Sequence, residues 1–206
     1  METVKYRGIN IEIEQDQDAQ SPQEWSDDER ILVYNHRDFY VKKKGFDPDE
    51  IFEEVWHGNK FYKGYFAFGV DAYIHSGVVL AIKDTRKALD FPDRRWDVSF
   101  KGFALIRKEK GTWDRTKAFE IAEGLVDIWN QYLSGDVYGY NIEQFNDSYW
   151  GYYGYDTCLE EAKLIVDYHL EQNRKKRIVT LKQLIKSKVP LEYRQKQLLT
   201  LSLTNN

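Results

Sequence analysis

The chain has 206 residues, of which 42% are hydrophobic and 16% aromatic, and a formal net charge of -4; these values fit one folded domain with a small appendage and exclude a wholly disordered chain. No apolar run approaches the roughly eighteen residues that a membrane-spanning helix needs, so the sequence predicts no membrane association. The single cysteine excludes a disulfide framework, and the lack of an apolar leader predicts a cytoplasmic protein.

The first half of the sequence predicts strands and one short helix. "VKYRGINIEIEQD" alternates apolar and polar residues, which is typical of a strand with one solvated face, and "ILVYNHR" predicts a second strand after a polar loop. Asp47 and Pro48 open a short helix that is expected to end near His57. "YFAFGVDAYIHSGVVLAI" predicts one or two strands, and "RRWDVSFKGFALIRKEK" predicts another strand with a bulge near Gly102.

The second half predicts two long helices separated by an aromatic hairpin. "DRTKAFEIAEGLVDIWNQYLSG" repeats apolar residues at spacings of three and four and stops at Gly135. "GDVYGYNIEQFNDSYWGYYGYD" predicts a hairpin that places Trp150 and Tyr152 on one face and leaves Tyr149 and Tyr153 on the other. "DTCLEEAKLIVDYHLEQNRKKR" predicts the second long helix, and the remaining residues predict one or two short helices.

These elements define the fold class that we expect. It is an α+β domain over residues 1–170, in which a mainly antiparallel sheet packs against two long helices, followed by a basic helical tail over residues 171–206.

Opposite charges gather at the two ends of the sequence. Residues 1–30 contain nine acidic and three basic side chains, whereas residues 171–206 contain two acidic and nine basic ones. Such blocks commonly solvate a surface, but a basic block also favours contact with nucleic acid or with an acidic protein. The basic end is therefore a candidate binding segment.

Metal and cofactor motifs are missing from the sequence. The four histidines form neither HExxH nor a zinc-type Cys/His spacing, and the glycines form neither GxxxxGK[ST] nor a strand-to-helix GxGxxG. We therefore expect no metal and no cofactor. Cys158 falls in the first turn of a predicted helix, where we interpret it as a small buried residue rather than a nucleophile.

A histidine and carboxylate site is the enzymatic alternative. His36, His75, Asp97 and Asp147 lie at predicted strand ends or turns, and a base oriented by a carboxylate would suit a small hydrolase or nuclease. The competing interpretation is that these side chains cap turns and satisfy backbone donors. We favour the second interpretation, and with it a protein that is not an enzyme.

Aromatic and basic side chains supply the candidate binding surface. Exposed aromatic rings beside a basic segment can stack on unpaired bases, although the sequence lacks any known nucleic-acid motif such as RNP1. The candidate partner-binding residues are two hairpin tyrosines and seven basic residues of the tail: Tyr149, Tyr153, Arg174, Lys175, Lys176, Arg177, Lys182, Lys186 and Lys188.

Several stretches together resemble a family of small proteins carried by bacteriophages, plasmids and gut bacteria. They are "GDVYGYNIE" followed by "DSYWGYYGYD", together with "VKYRGINIEIEQDQDAQSPQEW", "NHRDFY", "YIHSGVVL" and "RWDVSFKGFALIRKEK", and they cover most of residues 4–170. Members often have a cysteine in the DSxWG motif and a WDSG-type turn, whereas this chain has Tyr149 and "WDVS" at those places. A role that depends on that cysteine does not transfer to this chain.

The resemblance implies a biological context rather than a reaction. Accessory proteins of mobile elements often bind and block a host defence component, as anti-CRISPR and anti-restriction proteins do. We therefore expect a non-enzymatic inhibitor in the cytoplasm of the bacterial host, whose partner is a defence protein or ribonucleoprotein. The acidic N-terminal region would be able to occupy a positively charged nucleic-acid site, and the basic tail would be able to contact RNA, DNA or an acidic protein surface.

Overall fold

A computed structural model describes residues 1–25, 28–56, 60–108 and 114–187, and also 190, 192, 193, 195 and 196, without the side chain of Trp56. Within these residues the chain forms ten strands, all paired antiparallel, and four α-helices, so the predicted α+β class is confirmed. The strands form two sheets rather than the single sheet that the sequence predicted.

Two compact units account for the two sheets. A terminal unit combines Met1–Gln17 with Val137–Asn206, and a central unit comprises Asp18–Asp136. This division differs from the expected domain over 1–170 with a tail over 171–206, because the two ends of the chain share one sheet.

The sheet of the central unit has the order β4-β3-β8-β6-β5, and β7 also pairs with β6. Its strands are β3 (Arg30–His36), β4 (Phe39–Val41), β5 (Phe61–Tyr62), β6 (Tyr65–Ile74), β7 (Val78–Ile82) and β8 (Val98–Arg107). Its helices are α1 (Pro48–Trp56), α2 (Arg86–Leu89) and α3 (Arg115–Ser134). The predicted helix from Pro48 is confirmed, while its expected last residue, His57, lies outside the described residues.

Helices cover both faces of the central sheet. Ile31 and Val33 pack with Ile51 of α1, whereas Leu32 and Tyr34 belong to the cluster that contains the buried residues of α3. A strand buried on both faces needs apolar side chains at every position, which explains the unbroken run "ILVY". At the end of α3, Gly135 has a φ of 72° and its N–H donates to the carbonyl of Gln131, which confirms the predicted stop.

A bulge in β8 also confirms a prediction. Val70 pairs with Gly102, but Ala72 pairs with Ser99, so β8 contributes one extra residue opposite Asp71. Gly102 also pairs with Tyr34 of β3, and a Cβ atom at Gly102 would lie 2.0 Å from Cδ2 of the Tyr34 ring. The ring therefore occupies the space that any larger side chain would need.

The sheet of the terminal unit has the order β1-β2-β9-β10. The strands are β1 (Glu2–Tyr6), β2 (Ile9–Gln15), β9 (Val137–Ile142) and β10 (Asp147–Tyr153), and they are followed by helix α4 (Tyr155–Lys186). The sequence predicted one strand where β1 and β2 form a hairpin. Positive φ angles at Arg7 (49°) and Gly8 (86°) make the two-residue turn, whose twist suits antiparallel strands.

The core of this unit lies between one face of the sheet and the first half of α4. Ile11, Ile13, Tyr140 and Ile142 pack against Cys158, Ala162 and Val166, all of which are at most 3% exposed. β2 pairs directly with β9, and the N–H of Asp16 donates to the carbonyl of Val137 at 2.8 Å.

A register shift in the hairpin reverses part of the predicted face assignment. Tyr149 pairs with Tyr140, but Tyr152 pairs with Tyr138, so β10 has one extra residue between them. Tyr149 therefore shares the face of Tyr140, and Trp150 lies on the opposite face, where a Cβ atom at Gly139 would lie 2.2 Å from the indole Cε3. The positive φ of Gly151, 87°, accommodates the shift.

α4 is one continuous helix of 32 residues. The sequence predicted a helix over the first part and separate short helices after it, but the helical hydrogen bonding runs without a break to Lys186. The predicted helix start at Pro190 stays a prediction, because only five residues beyond Ser187 are described.

We predict that replacing Gly102 with alanine lowers the free energy of unfolding by about 3 kcal/mol, because the fully buried Tyr34 ring cannot move away from the new methyl group. Chemical denaturation measures this change. Gly124→Ala is the matched control, because no atom other than those of its chain neighbours and its own helix backbone lies within 4 Å of the new Cβ, and inside α3 alanine is favoured by up to about 1 kcal/mol. Equal stability of the Gly102→Ala variant and the original protein would contradict the prediction.

Candidate functional site

The second half of α4 is the most extensively exposed regular element among the described residues. Residues 173–179 are all exposed, so no side of the helix is covered over two turns. Val166 is the last buried side chain before residues 173–179. Leu184, which is 8% exposed, is the first buried side chain after them. We call residues 171–187 the projecting segment of α4.

Basic side chains dominate the projecting segment. It contains six basic residues and one acidic residue, and all of the basic ones are exposed: Arg174, Lys175, Lys176, Arg177, Lys182 and Lys186. Four of them are consecutive, and because successive helical residues are rotated by about 100°, they place positive charge on every side of the helix. Lys188, the seventh predicted binding residue, lies outside the described residues.

Few acidic groups neutralise this charge. Glu171 Oε1 lies 3.5 Å from Lys175 Nζ, one turn away on the same helix. Glu171 offsets one of the six positive charges and so leaves a net charge of about +5 on residues 171–187. The projecting segment therefore presents a strong positive potential to solvent.

The two predicted hairpin tyrosines differ in accessibility. Tyr149 is 60% exposed, and its ring lies 5.5 Å from that of Tyr152, which in turn stacks on Tyr140 at 5.9 Å. Tyr153 is only partly exposed and pairs with Val137. Trp150, which is 44% exposed, lies on the outer face of the sheet, opposite to the face that the sequence predicted for it. The adjacent Gly151 was the available signal of a bulge.

His75 and Asp97 lie together in the central unit. His75 Nδ1 is 3.2 Å from Asp97 Oδ2, and the backbone N–H of Ile74 donates to the Asp97 carbonyl at 2.7 Å. His75 is 65% exposed and its ring stacks beside Tyr73. This pair joins the end of β6 to the start of β8, which is the turn-supporting role that polar residues at strand ends commonly have.

His36 lies elsewhere in the central unit. Its Nδ1 accepts a hydrogen bond from the backbone N–H of Asp38 at 3.2 Å, in the turn between β3 and β4. β3 is separated from β6 by β8, and strand spacing and rise place the Cα atoms of His36 and His75 about 15 Å apart. The geometry therefore offers a His75–Asp97 pair without His36.

Asp147 belongs to the terminal unit, where its partner is His169 of α4. Asp147 Oδ2 lies 2.9 Å from Nε2 of His169 in α4, and Asp147 Oδ1 accepts a hydrogen bond from the Tyr140 hydroxyl at 3.2 Å. The His169 ring also stacks on Phe145 at 4.6 Å. Burial, with the Asp147 carboxylate and Tyr152 nearby, raises the pKa of Tyr140 above its usual range.

These contacts attach the hairpin to α4. Both oxygens of Asp147 are used, so the Asp147–His169 pair resembles a structural clamp more than a base waiting for a substrate. The position of His169 was not predictable from local spacing, because Asp147 and His169 lie 22 residues apart and meet only when α4 packs on the sheet.

The described residues offer neither a metal site nor a membrane-spanning helix. Over the ranges that the structure describes, no three or more His, Cys, Asp or Glu side chains cluster so that they could hold a metal ion. Among the same residues, no helix is both long enough and apolar enough to cross a membrane.

Comparison with protein-family models, with curated proteins and with solved structures found no match to this chain.

We predict that Cys158 does not react with a thiol reagent at pH 8 in the folded protein. Its side chain is fully buried, and burial raises the pKa of the thiol to about 11, so the nucleophilic thiolate is scarce. Titration with a chromogenic disulfide is expected to give no reaction until denaturant is added, and one equivalent afterwards. Rapid modification of the native protein would contradict the buried position.

We also predict that Asp147→Ala lowers the free energy of unfolding by about 1 to 2 kcal/mol, because the Tyr140 hydroxyl and His169 lose a shared partner. Thermal and urea unfolding measure the change. Ser148→Ala, at the exposed neighbouring position, serves as the control and is expected to change stability by less than about 0.5 kcal/mol. An Asp147→Ala variant as stable as the control would contradict the clamp.

Proposed function

We propose that this protein is a non-enzymatic binding protein of a mobile element, which inhibits a bacterial defence complex in the cytoplasm of its host. The observation that carries the proposal is the projecting segment of α4, which is exposed on all sides over two turns and densely basic. The mobile-element context comes from the sequence resemblance, and the mode of binding comes from this helix.

The shape of α4 supports a binding role. A helix of 32 residues is about 48 Å long, and the buried contacts of the terminal unit involve mainly its first four turns. Helices in globular proteins gain most of their stability from a packed apolar face, which residues 173–179 lack. A partner that covers this segment would supply the missing contacts.

The side chains of the segment indicate the chemistry of that partner. Arginines and lysines on every side attract a polyanion, and release of its counterions provides free energy of binding. Ile178, Val179 and Ile185 are 42%, 54% and 58% exposed among these charges, so they could contact apolar groups next to the anionic surface. A nucleic acid held by protein, as in a ribonucleoprotein defence complex, presents both kinds of surface.

The hairpin adds a second possible contact within the terminal unit. Tyr149 and Trp150 are both exposed, and they lie on opposite faces of an edge strand, β10. Aromatic side chains with this exposure suit stacking on bases or the centre of a protein interface. In this proposal, the basic helix supplies electrostatic attraction and the hairpin supplies selectivity.

The decisive experiment is affinity capture from a bacterial host that expresses defence complexes. The tagged protein is expected to retain a defence complex, and a variant with glutamine at Arg174, Lys175, Lys176 and Arg177 is expected to lose it by at least about tenfold. The control variant replaces four lysines outside α4 with glutamine: Lys5, Lys42, Lys44 and Lys101. It loses the same number of positive charges and is expected to bind normally.

The role of charge can be tested on the same complex. If the four basic residues neutralise nucleic-acid phosphates, then the slope of log K against log salt concentration should become shallower in the α4 variant by about 0.7 to 0.9 for each phosphate that is no longer neutralised. Absence of any stable partner, or equal loss of binding in both charge variants, would contradict inhibition through the projecting segment.

A small hydrolase or nuclease is the second candidate, because three histidines lie close to carboxylates: His36 to Asp38 at 3.8 Å, His75 to Asp97 at 3.2 Å and His169 to Asp147 at 2.9 Å. His75 with Asp97 is the more accessible pair, whereas Asp147 with His169 is about one-third exposed. Incubation of the purified protein with RNA, DNA and activated esters tests this candidate. Turnover that His75→Ala abolishes and that the α4 charge variant retains would replace the binding proposal with an enzymatic one.

A further inference from the structure

The central unit contains a buried carboxylate that is incompletely paired. Asp71 on β6 is 0% exposed, and it is the one buried charged side chain among the described residues. Its Oδ2 lies 3.5 Å from Nη2 of Arg94, at the limit of hydrogen-bond length, while its Oδ1 has no hydrogen-bond partner. A fully buried carboxylate normally needs several donors to offset its desolvation.

Neighbouring charges do not compensate for this burial. Burial raises the pKa of Asp71, the positive charges of Lys83 and Arg94 oppose the rise, and Asp84 adds to it. The bulge of β8 lies opposite Asp71, so the regular sheet is interrupted beside the carboxylate. The local structure thus accommodates a polar group that the chain leaves partly unsatisfied.

Asp71 lines the wall of a cavity of about 730 Å³ in the same unit, which is within the size range of small-molecule sites. Five phenylalanines contribute to its walls: Phe52, Phe68, Phe100, Phe103 and Phe119. Phe52 and Phe100 are 44% and 46% exposed, as expected for apolar rings at the rim of an open site. The body of a ligand in this cavity would therefore be apolar or aromatic.

The cavity also has a positively charged group. Arg115, the first residue of α3, lines it together with Thr116, and its guanidinium lies 4.6 Å from the Phe68 ring centroid. Partial burial lowers the pKa of Arg115, so its positive charge is incompletely solvated. The N-terminus of α3 is already capped by the Asp114 carboxylate, which accepts a hydrogen bond from the Lys117 N–H at 2.9 Å, so Arg115 is the group left to meet an anion.

Lys83 is held at the cavity wall by a close approach to β6. Its backbone N–H donates to the Gly69 carbonyl at 2.8 Å, and a Cβ atom at Gly69 would lie 3.3 Å from both Cβ and Cδ of Lys83. Glycine at position 69 thus allows the lysine side chain to lie across the strand. With Asp71 and Asp84 as acids, and Lys83 and Arg115 as bases, the cavity carries both signs of charge.

We propose that this cavity binds a small molecule with an apolar or aromatic body, an N–H donor that reaches Asp71, and a carboxylate or phosphate that reaches Arg115. Aromatic amino acids and mononucleotides share this chemistry. Because Oδ1 is closed off from solvent, binding of the donor requires a local rearrangement of the side chains that cover Asp71.

The binding role of α4 is independent of this cavity, so each proposal can fail without the other. Isothermal titration calorimetry with L-tryptophan, L-phenylalanine, AMP and GMP tests the cavity, using the full-length protein. At least one of the four is expected to bind with a Kd below about 1 mM. Binding of the amino acids alone, or of the nucleotides alone, identifies the source of the ligand, and binding of none overturns the proposal.

Variants locate the binding site. Asp71→Asn and Arg115→Gln are each expected to weaken binding by about tenfold or more, since each removes a charged hydrogen-bond partner. Asp127→Asn, which removes an exposed carboxylate paired with Lys87 outside the cavity, is expected to bind normally. Unchanged affinity in Arg115→Gln overturns the site even if Asp71→Asn fails to fold, and unchanged affinity in a folded Asp71→Asn overturns it independently.

Discussion

An aromatic ring laid over a glycine of the neighbouring strand is the constraint on which both sheets depend. In the central unit Tyr34 covers Gly102, and in the terminal unit Trp150 covers Gly139. In each case the ring occupies the volume of the missing side chain, so a single extra carbon would collide with it. Both glycines adjoin a register shift, at β8 and at β10, where normal pairing is interrupted and cross-strand packing has to hold the alignment.

The sequence predicted elements well where the signal was local. The apolar spacing of α3, its stop at Gly135 and the bulge near Gly102 depend on residues close together in the chain, and the structure confirms all three. The failures involve a missed turn and a missed bulge. The Arg7–Gly8 turn splits a predicted strand, and the extra residue in β10 moves Trp150 to the other face, since side chains alternate along a strand.

Long-range pairing was beyond prediction from spacing. The sequence offered no means to pair Asp147 with His169 or Asp71 with Arg94, and it did not show how deeply either carboxylate is buried. These contacts depend on how helices and loops return to a sheet. The basic character of the segment after residue 170 was readable from composition, but its continuity with α4 was not. That continuity turns an expected separate tail into an extension of a helix whose first half is packed in a core.

Direct pairing of β2 with β9 has an evolutionary consequence. The two strands pair as the strands of a hairpin do, with the Asp16 N–H bonded to the Val137 carbonyl, and the residues of the central unit lie between them in the chain. Each unit has its own apolar cluster, so the central unit has the architecture of an inserted module. A lineage could exchange or delete that module and close the gap with a short turn, while keeping the helix-bearing sheet that the two chain ends build together.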